Sequence, residues 1–250
     1  MSFTTLLYHE IRERLSLRPN APSPIQVKQN YSDLLPSILF VTLENFEAQM
    51  LYLYEQNYHT LTLPEVMAYY YNGSEIPEKS VLITFDDCYQ SLWYYAYPVL
   101  KKYNFNAVAF VVTGWLNDEP EPFNQDKSIC LTTESLKDMG DVFEYANHTH
   151  DFHIRLNPTT NKAMVSSDLE FSEDLDRCNA NTLITSPQVF AYTFGLYNDA
   201  NIALLKEKKF KLAFTSANGT NTREMNPLLL KRTVIPYFMD LPTFKTILNA

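Results

Sequence analysis

The sequence has no apolar run long enough to cross a membrane, which takes about 18 consecutive apolar residues. The longest apolar stretches, at residues 38–41 and 107–112, have the length of buried strands or helix ends. The N-terminal residues MSFTTLLYHEI also lack a basic segment followed by an apolar one, so they predict no secretory signal. We therefore expect no transmembrane segment and a cytoplasmic location, or an extracellular or cell-surface location if the chain has been trimmed.

Cysteine and positive charge are both scarce. The three cysteines, Cys88, Cys130 and Cys178, are odd in number and widely spaced. They therefore indicate neither a disulfide framework nor a zinc ribbon, and we expect reduced thiols. Twenty lysines and arginines against 29 aspartates and glutamates give a net charge of −9. Because phosphate binding needs a basic face, this balance argues against a nucleic-acid partner and fits a neutral or cationic ligand better.

Apolar and aromatic side chains are plentiful, at 46% and 14% of the residues, which argues for a folded core. A chain of 250 residues fits one α/β barrel, so residues 1–250 are expected to form a single domain. Strands are predicted at TLLYH, HTLTL, SVLITFDD, NAVAFVVT, FEYANHTH, QVFAYTF, FKLAFTS and LKRTVIP. Helices are predicted between them at TLENFEAQMLYLYEQN, LPEVMAYYYNG, QSLWYYAYPVLKKYN, TTESLKDMG, NKAMVSSDLEFSEDLDRCN and NDANIALLKEKKF.

The alternation of strands and helices predicts a parallel α/β fold. Several strand segments are almost continuously apolar, as expected for parallel strands covered on both faces. About seven or eight such units favour a barrel over an open sheet. Residues 12–36 and 117–127 are polar and contain proline, so they are predicted as long surface loops. Because loops at the C-terminal ends of barrel strands surround the active site, either loop could line a substrate groove.

Polar residues collect where predicted strands end. The adjacent pair Asp86 and Asp87 ends SVLITFDD, His9 ends the first strand, and His148, His150 and His153 follow another strand in NHTHDFH. Parallel barrel strands finish at one face, so these groups are expected to converge. Carboxylate oxygen with imidazole nitrogen suits Zn²⁺ and neighbouring transition metals. One aspartate could then bind the ion while the other stays ionised as a proton acceptor. The alternative is that the aspartate pair caps a turn or the following helix.

Two pairs of histidines could serve as metal ligands. His148 and His150 are two apart, so on a strand they point to the same side, as in the His-x-His pair of amidohydrolase barrels. His148 and His153 are five apart and can meet only if the chain leaves the strand and curls. The fifth histidine, His59, has no polar company in the sequence and is expected to be structural.

Four segments together resemble the polysaccharide deacetylase family (NodB-like domain), in its poly-N-acetylglucosamine deacetylase branch. TFDDC looks like the family's Thr-Phe-Asp-Asp-Gly motif, and HTHDFH like its histidine motif in the wider-spaced form of this branch. FAYTFGLYN is similar to the aromatic-Pro-Tyr/Phe-Gly segment, and LLYHEI to the N-terminal Tyr-His element of the branch. The four matches follow the order of the branch over residues 6–198, and KLAFTSANGTNTREMNPLLLKRTVIP extends the likeness further.

The resemblance implies a distorted (β/α) barrel of about seven parallel strands. It also implies metal-dependent removal of N-acetyl groups from an N-acetylglucosamine-containing polysaccharide or oligosaccharide. The cofactor implied is one divalent ion, zinc first, with cobalt, nickel or iron as alternatives. By position, the implied roles are metal ligand for Asp87, His148 and His153, general base for Asp86, general acid for His9, and oxyanion-hole donor for the backbone N–H of Phe194. His150 would then point away from the ion.

Three residues depart from the family pattern. Cys88 stands where the family has glycine, so we expect a turn less free to adopt a positive φ. Thr193 replaces a proline and is expected to loosen the oxyanion-hole turn. Ala191 stands where many members carry an arginine that orients the catalytic aspartate. Arg232 in LKRTVIP could supply that guanidinium instead, or could be a surface arginine at a strand end. These changes are expected to lower the rate more than abolish it.

Aromatic residues beside the motifs are the candidates for contacts with a sugar ring. The predicted substrate-binding residues are Tyr8, Tyr89, Trp115, Tyr197 and Arg232. The clusters WYYAY and MAYYY have helical spacing and are expected in the core. Two other functions stay open: a catalytically impaired member that binds glycan without hydrolysing it, and a metal amidohydrolase acting on a small non-sugar amide. The sequence indicates no oligomeric state.

Overall fold

The computed structural model describes residues 1–248. The strands are β1 (Ser2–Tyr8), β2 (Glu10–Arg12), β3 (Ser23–Gln26), β4 (Leu34–Leu35), β5 (Phe40–Thr42), β6 (His59–Thr60), β7 (Ser80–Asp86), β8 (Ala107–Val111), β9 (Ser128–Ile129), β10 (Phe143–Asn147), β11 (Arg155–Asn157), β12 (Thr160–Asn161), β13 (Ser186–Ala191), β14 (Leu212–Phe214), β15 (Thr220–Thr222) and β16 (Thr233–Val234). The helices are α1 (Leu43–Glu55), α2 (Leu63–Tyr71), α3 (Tyr97–Lys102), α4 (Thr133–Lys137), α5 (Lys162–Val165), α6 (Asp168–Asn179), α7 (Asp199–Glu207) and α8 (Leu241–Leu248).

The main sheet is a curled half-barrel. Six parallel strands run in the order β14-β13-β10-β8-β7-β1, with β15 antiparallel to β1 at the edge. The short strand β16 pairs in parallel with β1, and a single parallel bridge joins Phe214 to Leu230. The segment from Leu230 to Val234 therefore connects the two ends of the sheet and supplies a further short parallel strand, as β6 does where it pairs with the start of β7. The prediction of a distorted barrel with about seven parallel strands is confirmed.

The central strands are buried along their whole length. Every residue of β7 and of β8 is buried, which fits strands covered on both faces. Alternate side chains of β7 enter different parts of the core: Leu82 packs in one apolar cluster, while Ile83 and Phe85 pack in another with residues of α1. This two-sided burial fixes the register of β7, and the C-terminal end of the strand carries the adjacent aspartates.

Each of the eight predicted strand segments contains a strand, although the helical predictions need corrections. Residues 161–179, predicted as one helix, form α5 and α6, because the Ser167 side chain accepts a hydrogen bond from the backbone N–H of Glu170 and starts a new helix. Residues 92–96, within another predicted helix, form a π-helical turn before α3. Helix α8 was not predicted. No helix within residues 1–248 has the length and apolarity needed to cross a membrane.

Residues 12–36 are not simply a surface loop, because they contain two short strands. Strand β3 pairs with β4 and with the distant β9. A buried polar cluster reinforces this arrangement: Arg12 donates hydrogen bonds to the Glu10 carboxylate and to the Ser23 hydroxyl, and Ser128 donates one to Glu10. The segment is thereby tied to the end of the barrel where β7 finishes.

Helix α2 begins with a capping box. The Thr62 hydroxyl accepts a hydrogen bond from the backbone N–H of Glu65, whose carboxylate accepts the backbone N–H of Thr62 at 2.8 Å. We expect Thr62→Ala to lower the free energy of unfolding by about 1 kcal/mol, because it leaves the N–H of Glu65 without its acceptor. Urea denaturation measures this loss. Thr62→Ser keeps the hydroxyl and should lie close to the wild type; equal losses in both variants would contradict the capping role.

Candidate active site

Two consecutive residues in the left-handed region turn the chain sharply after β7. Asp87 has φ 72° and Cys88 has φ 60°, although neither is glycine. The backbone N–H of Asp87 donates to the Phe110 carbonyl, and that of Cys88 donates to the Asp86 carbonyl. Such conformations cost about 1–3 kcal/mol each and concentrate at functional sites. The sequence predicted that Cys88 would restrict a positive φ, but the turn forms with one.

Asp86 is held by a buried arginine. Arg232 is fully buried and donates two hydrogen bonds to the carboxylate of Asp86, at 2.6 and 2.9 Å, and a third to the Thr215 carbonyl. Burial alone would raise the pKa of Asp86, but the Arg232 guanidinium outweighs it and holds that pKa at about 2. The alternative of a surface arginine at residue 232 is therefore wrong.

Asp87 has one carboxylate oxygen without a partner. Its Oδ2 accepts a hydrogen bond from the Tyr89 hydroxyl at 3.1 Å, while its buried Oδ1 accepts none from any of residues 1–248. This Oδ1 lies 3.4 Å from Nε2 of His153 and 3.8 Å from Nε2 of His148. Burial and the nearby charge of Asp86 raise the pKa of Asp87 well above its usual value. A buried carboxylate oxygen that faces two imidazole nitrogens calls for a cation or a proton between them.

The two histidines present lone pairs to Asp87. Nδ1 of His148 lies 2.8 Å from the carbonyl oxygen of Ala191, which can only accept, so Nδ1 carries the hydrogen and Nε2 the lone pair. Burial lowers the pKa of His148 and of His153, so both rings are in the neutral form that binds metals. The ligating atoms of Asp87, His148 and His153 all lie within 4.8 Å of one another. This donor set fits one divalent ion of the zinc type.

His150 points elsewhere. The chain leaves the strand after Asn147, and Thr149 adopts φ 77°, so the strand alternation that would place His148 and His150 on one side does not apply. Nδ1 of His150 lies 2.9 Å from the Thr113 hydroxyl, and its Nε2 lies 3.5 Å from Asp151. The structure therefore brings His153, and not His150, to Asp87.

His9 faces the same carboxylate oxygen of Asp86 as His148 does. Its Nε2 lies 4.0 Å from Oδ2 of Asp86, and its buried Nδ1 has no hydrogen-bond partner among residues 1–248. Burial lowers the pKa of His9 to about 4, although the charge of Asp86 acts in the opposite direction. The ring is therefore neutral at pH 7, and at 4.0 Å it makes no direct hydrogen bond with Asp86.

These groups open into a cavity of about 500 Å³. Its lining comprises Leu7, His9, Ile25, Tyr31, Asp33, Leu34, Leu35, Pro36, Leu39, Asp86, Asp87, His148, His153, Arg155, Phe194, Gly195, Ser216 and Val234. The sequence analysis left open whether residues 12–36 or residues 117–127 line a substrate groove, and residues 12–36 contribute to this cavity. Residues 117–127 do not, since Asn117 and Asp118 line a separate surface depression beside His150.

The turn that carries Phe194 is tied down by a neighbouring asparagine. Phe194 adopts φ 59°, and its ring centroid lies 4.3 Å from that of His153. Asn161 donates from its side-chain amide to the carbonyl and hydroxyl oxygens of Thr193 and to the Leu196 carbonyl. The loosening predicted from Thr193 is therefore not observed, because these bonds span the turn. Asn161 was not identified from the sequence, where it reads as the start of a helix.

Three of the predicted sugar-stacking rings are in the core. Tyr8 is 1% exposed and packs between Phe46 and Phe85, while Tyr89 and Trp115 are fully buried. Their faces are covered by protein, so the expected stacking on a sugar does not fit this structure. Tyr89 instead binds Asp87 and Trp115 packs 4.5 Å from His153.

The other two predicted substrate contacts also lie outside the cavity wall. Tyr197 is 37% exposed and packs on Tyr192, away from the lining residues. Arg232 lies behind Asp86 with no exposed surface, so it orients that carboxylate and does not face the cavity. Tyr31 and Arg155, which do line it, were not identified from the sequence, where neither lies in a recognisable motif.

An Asp-His-His group beside an arginine-held aspartate, at the C-terminal ends of parallel barrel strands, is typical of a metal-dependent hydrolase. Residues 73–213 match the model of the polysaccharide deacetylase family, and the chain belongs to that family. The enzyme class predicted from the sequence, a hydrolase of the polysaccharide deacetylase type, is thereby confirmed.

Individual relatives agree with this assignment. The chain is 30% identical over 200 residues to poly-beta-1,6-N-acetyl-D-glucosamine N-deacetylase of Staphylococcus aureus, which covers 78% of this chain and 67% of that protein. The fold is similar to that of the deacetylase PplD of Streptococcus pyogenes, with a TM-score of 0.75, 24% identity and coverage of 99% and 98%. IcaB from Ammonifex degensii superposes with a TM-score of 0.72, 22% identity and coverage of 99% and 96%. The predicted cytoplasmic location gains no support from these relatives.

The site geometry predicts which histidine holds a metal. Wild-type protein loaded with zinc should carry about one ion per chain, because the three donors form one ligand set that leaves a coordination position open, as in catalytic zinc sites. His153→Ala should lose the ion, because it removes one of the three nitrogen and oxygen donors that face one another. His150→Ala, the matched control, should keep it. Metal analysis after gel filtration measures the content, and loss in His150→Ala alone would favour the amidohydrolase pairing.

Proposed function

We propose that this chain is a metal-dependent N-deacetylase that removes acetyl groups from an N-acetylglucosamine-containing polysaccharide or oligosaccharide. The observation that carries the proposal is the buried, unpartnered Oδ1 of Asp87 facing Nε2 of His148 and His153, directly beside the ionised Asp86. The name of the Staphylococcus aureus relative, a poly-beta-1,6-N-acetyl-D-glucosamine N-deacetylase, supports the choice of substrate. The neighbouring PplD structure contains acetate, the product of deacetylation.

Asp87, His148 and His153 would hold one divalent ion, with zinc as the first choice and cobalt, nickel or iron as alternatives. When bound, such an ion polarises an acetamide carbonyl and makes a water molecule a better nucleophile. Oδ2 of Asp87 is already bonded to Tyr89, which leaves Oδ1 for the ion. The backbone N–H of Phe194, in the strained turn at the cavity wall, is the proposed second stabiliser of the oxyanion.

Asp86 is the proposed general base. The pKa of about 2 keeps its carboxylate ionised at neutral pH. Each carboxylate oxygen has two lone pairs, so the two hydrogen bonds from Arg232 leave room to accept the proton of the attacking water. Arg232 thus takes the orienting role that the sequence comparison leaves vacant at Ala191.

His9 is the proposed general acid, and its position sets an order of events. Because its ring is neutral at pH 7, His9 must receive a proton before it can give one to the departing amine. Oδ2 of Asp86, 4.0 Å away, is the nearby group that acquires a proton in the preceding step. Positioned proton transfer of this kind contributes about 10²–10⁴-fold to a rate.

The departures from the family pattern do not favour a protein that only binds glycan. The arginine absent at residue 191 is replaced by Arg232, and the turn at Thr193 is held by Asn161. The left-handed turn forms at Cys88 despite its side chain. The residues proposed to carry out hydrolysis therefore lie around one cavity.

Acetate release from N-acetylglucosamine oligomers tests the proposed role of Asp86. We expect zinc-loaded wild type to release acetate and Asp86→Asn to lose about 10²–10⁴-fold in kcat, because the amide cannot accept the proton of the water. Zinc content should not change, since Asp86 is not in the ligand set. Oligomer binding without acetate release by the metal-loaded wild type would instead support a binding module.

A second prediction concerns the orientation of Asp86. Arg232→Lys keeps the charge but cannot donate the two parallel hydrogen bonds, so the carboxylate should lose its fixed position. We expect kcat to fall by about 10- to 100-fold with little change in KM. Arg223→Lys, a surface arginine that pairs with Glu75, is the matched control and should behave as wild type. If kcat and KM of Arg232→Lys equal those of the wild type, Arg232 does not orient Asp86 for catalysis.

A further inference from the structure

The two candidate metal-binding histidines are oriented in different ways. A histidine that binds through Nε2 carries its hydrogen on Nδ1, and the acceptor of that hydrogen fixes the ring. For His148 the acceptor is a backbone carbonyl, that of Ala191 on β13. For His153 the side-chain atom that faces Nδ1 is the hydroxyl of Tyr31, at 3.5 Å. The main sheet therefore orients His148, whereas His153 faces a side chain that belongs to no strand of that sheet.

Tyr31 belongs to the stretch between β3 and β4 that lines the cavity. Its ring centroid lies 4.6 Å from the Trp115 ring, which itself lies 4.5 Å from the ring of His153. The backbone N–H of Lys28 donates to the Trp115 carbonyl at 3.1 Å, which fixes the stretch beside the same tryptophan.

We propose that Tyr31 is a positioning residue for His153: its hydroxyl oxygen accepts the hydrogen of Nδ1 and thereby aims Nε2 at Oδ1 of Asp87. The inference rests on the proposed metal-dependent function and adds a requirement to it. Metal affinity depends on whether residues 23–36 are seated on the end of the barrel, because Tyr31 reaches His153 only from there. The same residues form one wall of the cavity.

A competing explanation makes the proposal testable. The His153 ring also packs against the rings of Trp115 and Phe194, at centroid distances of 4.5 and 4.3 Å, and this packing alone could orient it. Tyr31→Phe separates the two possibilities, because it keeps the ring that packs on Trp115 and removes only the hydroxyl. If the Tyr31 hydroxyl orients His153, the variant loses affinity for zinc; if ring packing suffices, it does not.

The first measurement is the zinc Kd, determined by competition with a chromophoric chelator. We expect Tyr31→Phe to weaken zinc binding about 10- to 100-fold, the usual effect of removing a partner of a metal-binding histidine. Tyr70→Phe is the matched control, because its hydroxyl donates to the Thr222 carbonyl at 2.9 Å and does not line the cavity. It should bind zinc as the wild type does.

A second measurement reports on the ring itself. In ¹⁵N spectra of the zinc-loaded protein, Tyr31→Phe should shift the Nδ1 signal of His153 and leave that of His148 in place. An unchanged Kd with an unchanged His153 signal would overturn the inference. A wild type that binds zinc and releases acetate, with Tyr31→Phe identical to it, overturns only this inference. A wild type that takes up no zinc overturns the proposed function as well.

Discussion

The buried pair of Asp86 and Arg232 is the interaction on which both the barrel and the site depend. The two residues are 146 positions apart and make two direct hydrogen bonds without exposed surface. Removing one member of such a pair leaves an uncompensated buried charge and costs about 3–5 kcal/mol. Arg232 stands between Leu230 and β16, the segment that connects the ends of the sheet, and also bonds to the Thr215 carbonyl. The segment that joins the ends of the sheet thus also carries the arginine that keeps the proposed base ionised and oriented.

Backbone strain collects around the same cavity. Asp87, Cys88, Thr149 and Phe194 all adopt a positive φ without being glycine, each at a cost of about 1–3 kcal/mol. Hydrogen bonds offset part of the free-energy cost of that strain. The Asp87 N–H donates to a carbonyl of β8, and the side-chain amide of Asn161 donates to Thr193 and Leu196 on either side of Phe194. These turns belong to three separate stretches of the chain. The turns at Asp87 and Thr149 adjoin the two carboxylates and the two imidazoles, and the turn at Phe194 brings its ring centroid to 4.3 Å from that of His153.

Most of the fold could be predicted from the sequence because β7 and β8 are continuous apolar runs, and such runs have few ways to be buried. The candidate site could be predicted because parallel strands finish at one face of the barrel, so the polar residues at their ends lie close together. What could not be predicted depends on pairing between distant residues. Strands β3 and β9 have four and two residues and are held by the pairing of β3 with β4 and with the distant β9, so residues 12–36 read as a loop in the sequence. The sequence does not distinguish an aromatic ring that stacks on a sugar from one that packs in the core. For Tyr8 and Trp115 the structure makes the distinction, because their rings pack against Phe46 and His153.

The distance along the chain between Asp86 and Arg232 has a consequence during biosynthesis. Strands β7 and β8 emerge early and can pair as soon as they leave the ribosome, but the charge of Asp86 then has no guanidinium beside it. Because burying the Asp86 carboxylate without Arg232 is costly, this end of the nascent sheet stays open to water until residue 232 has been synthesised. The proposed metal ligands, of which His153 is the last to be synthesised, are thus exposed to solvent until residue 232 is added, and the enclosed site is assembled late in translation. A nascent chain stopped before residue 232 would carry every proposed ligand and yet have no enclosed site in which to use them.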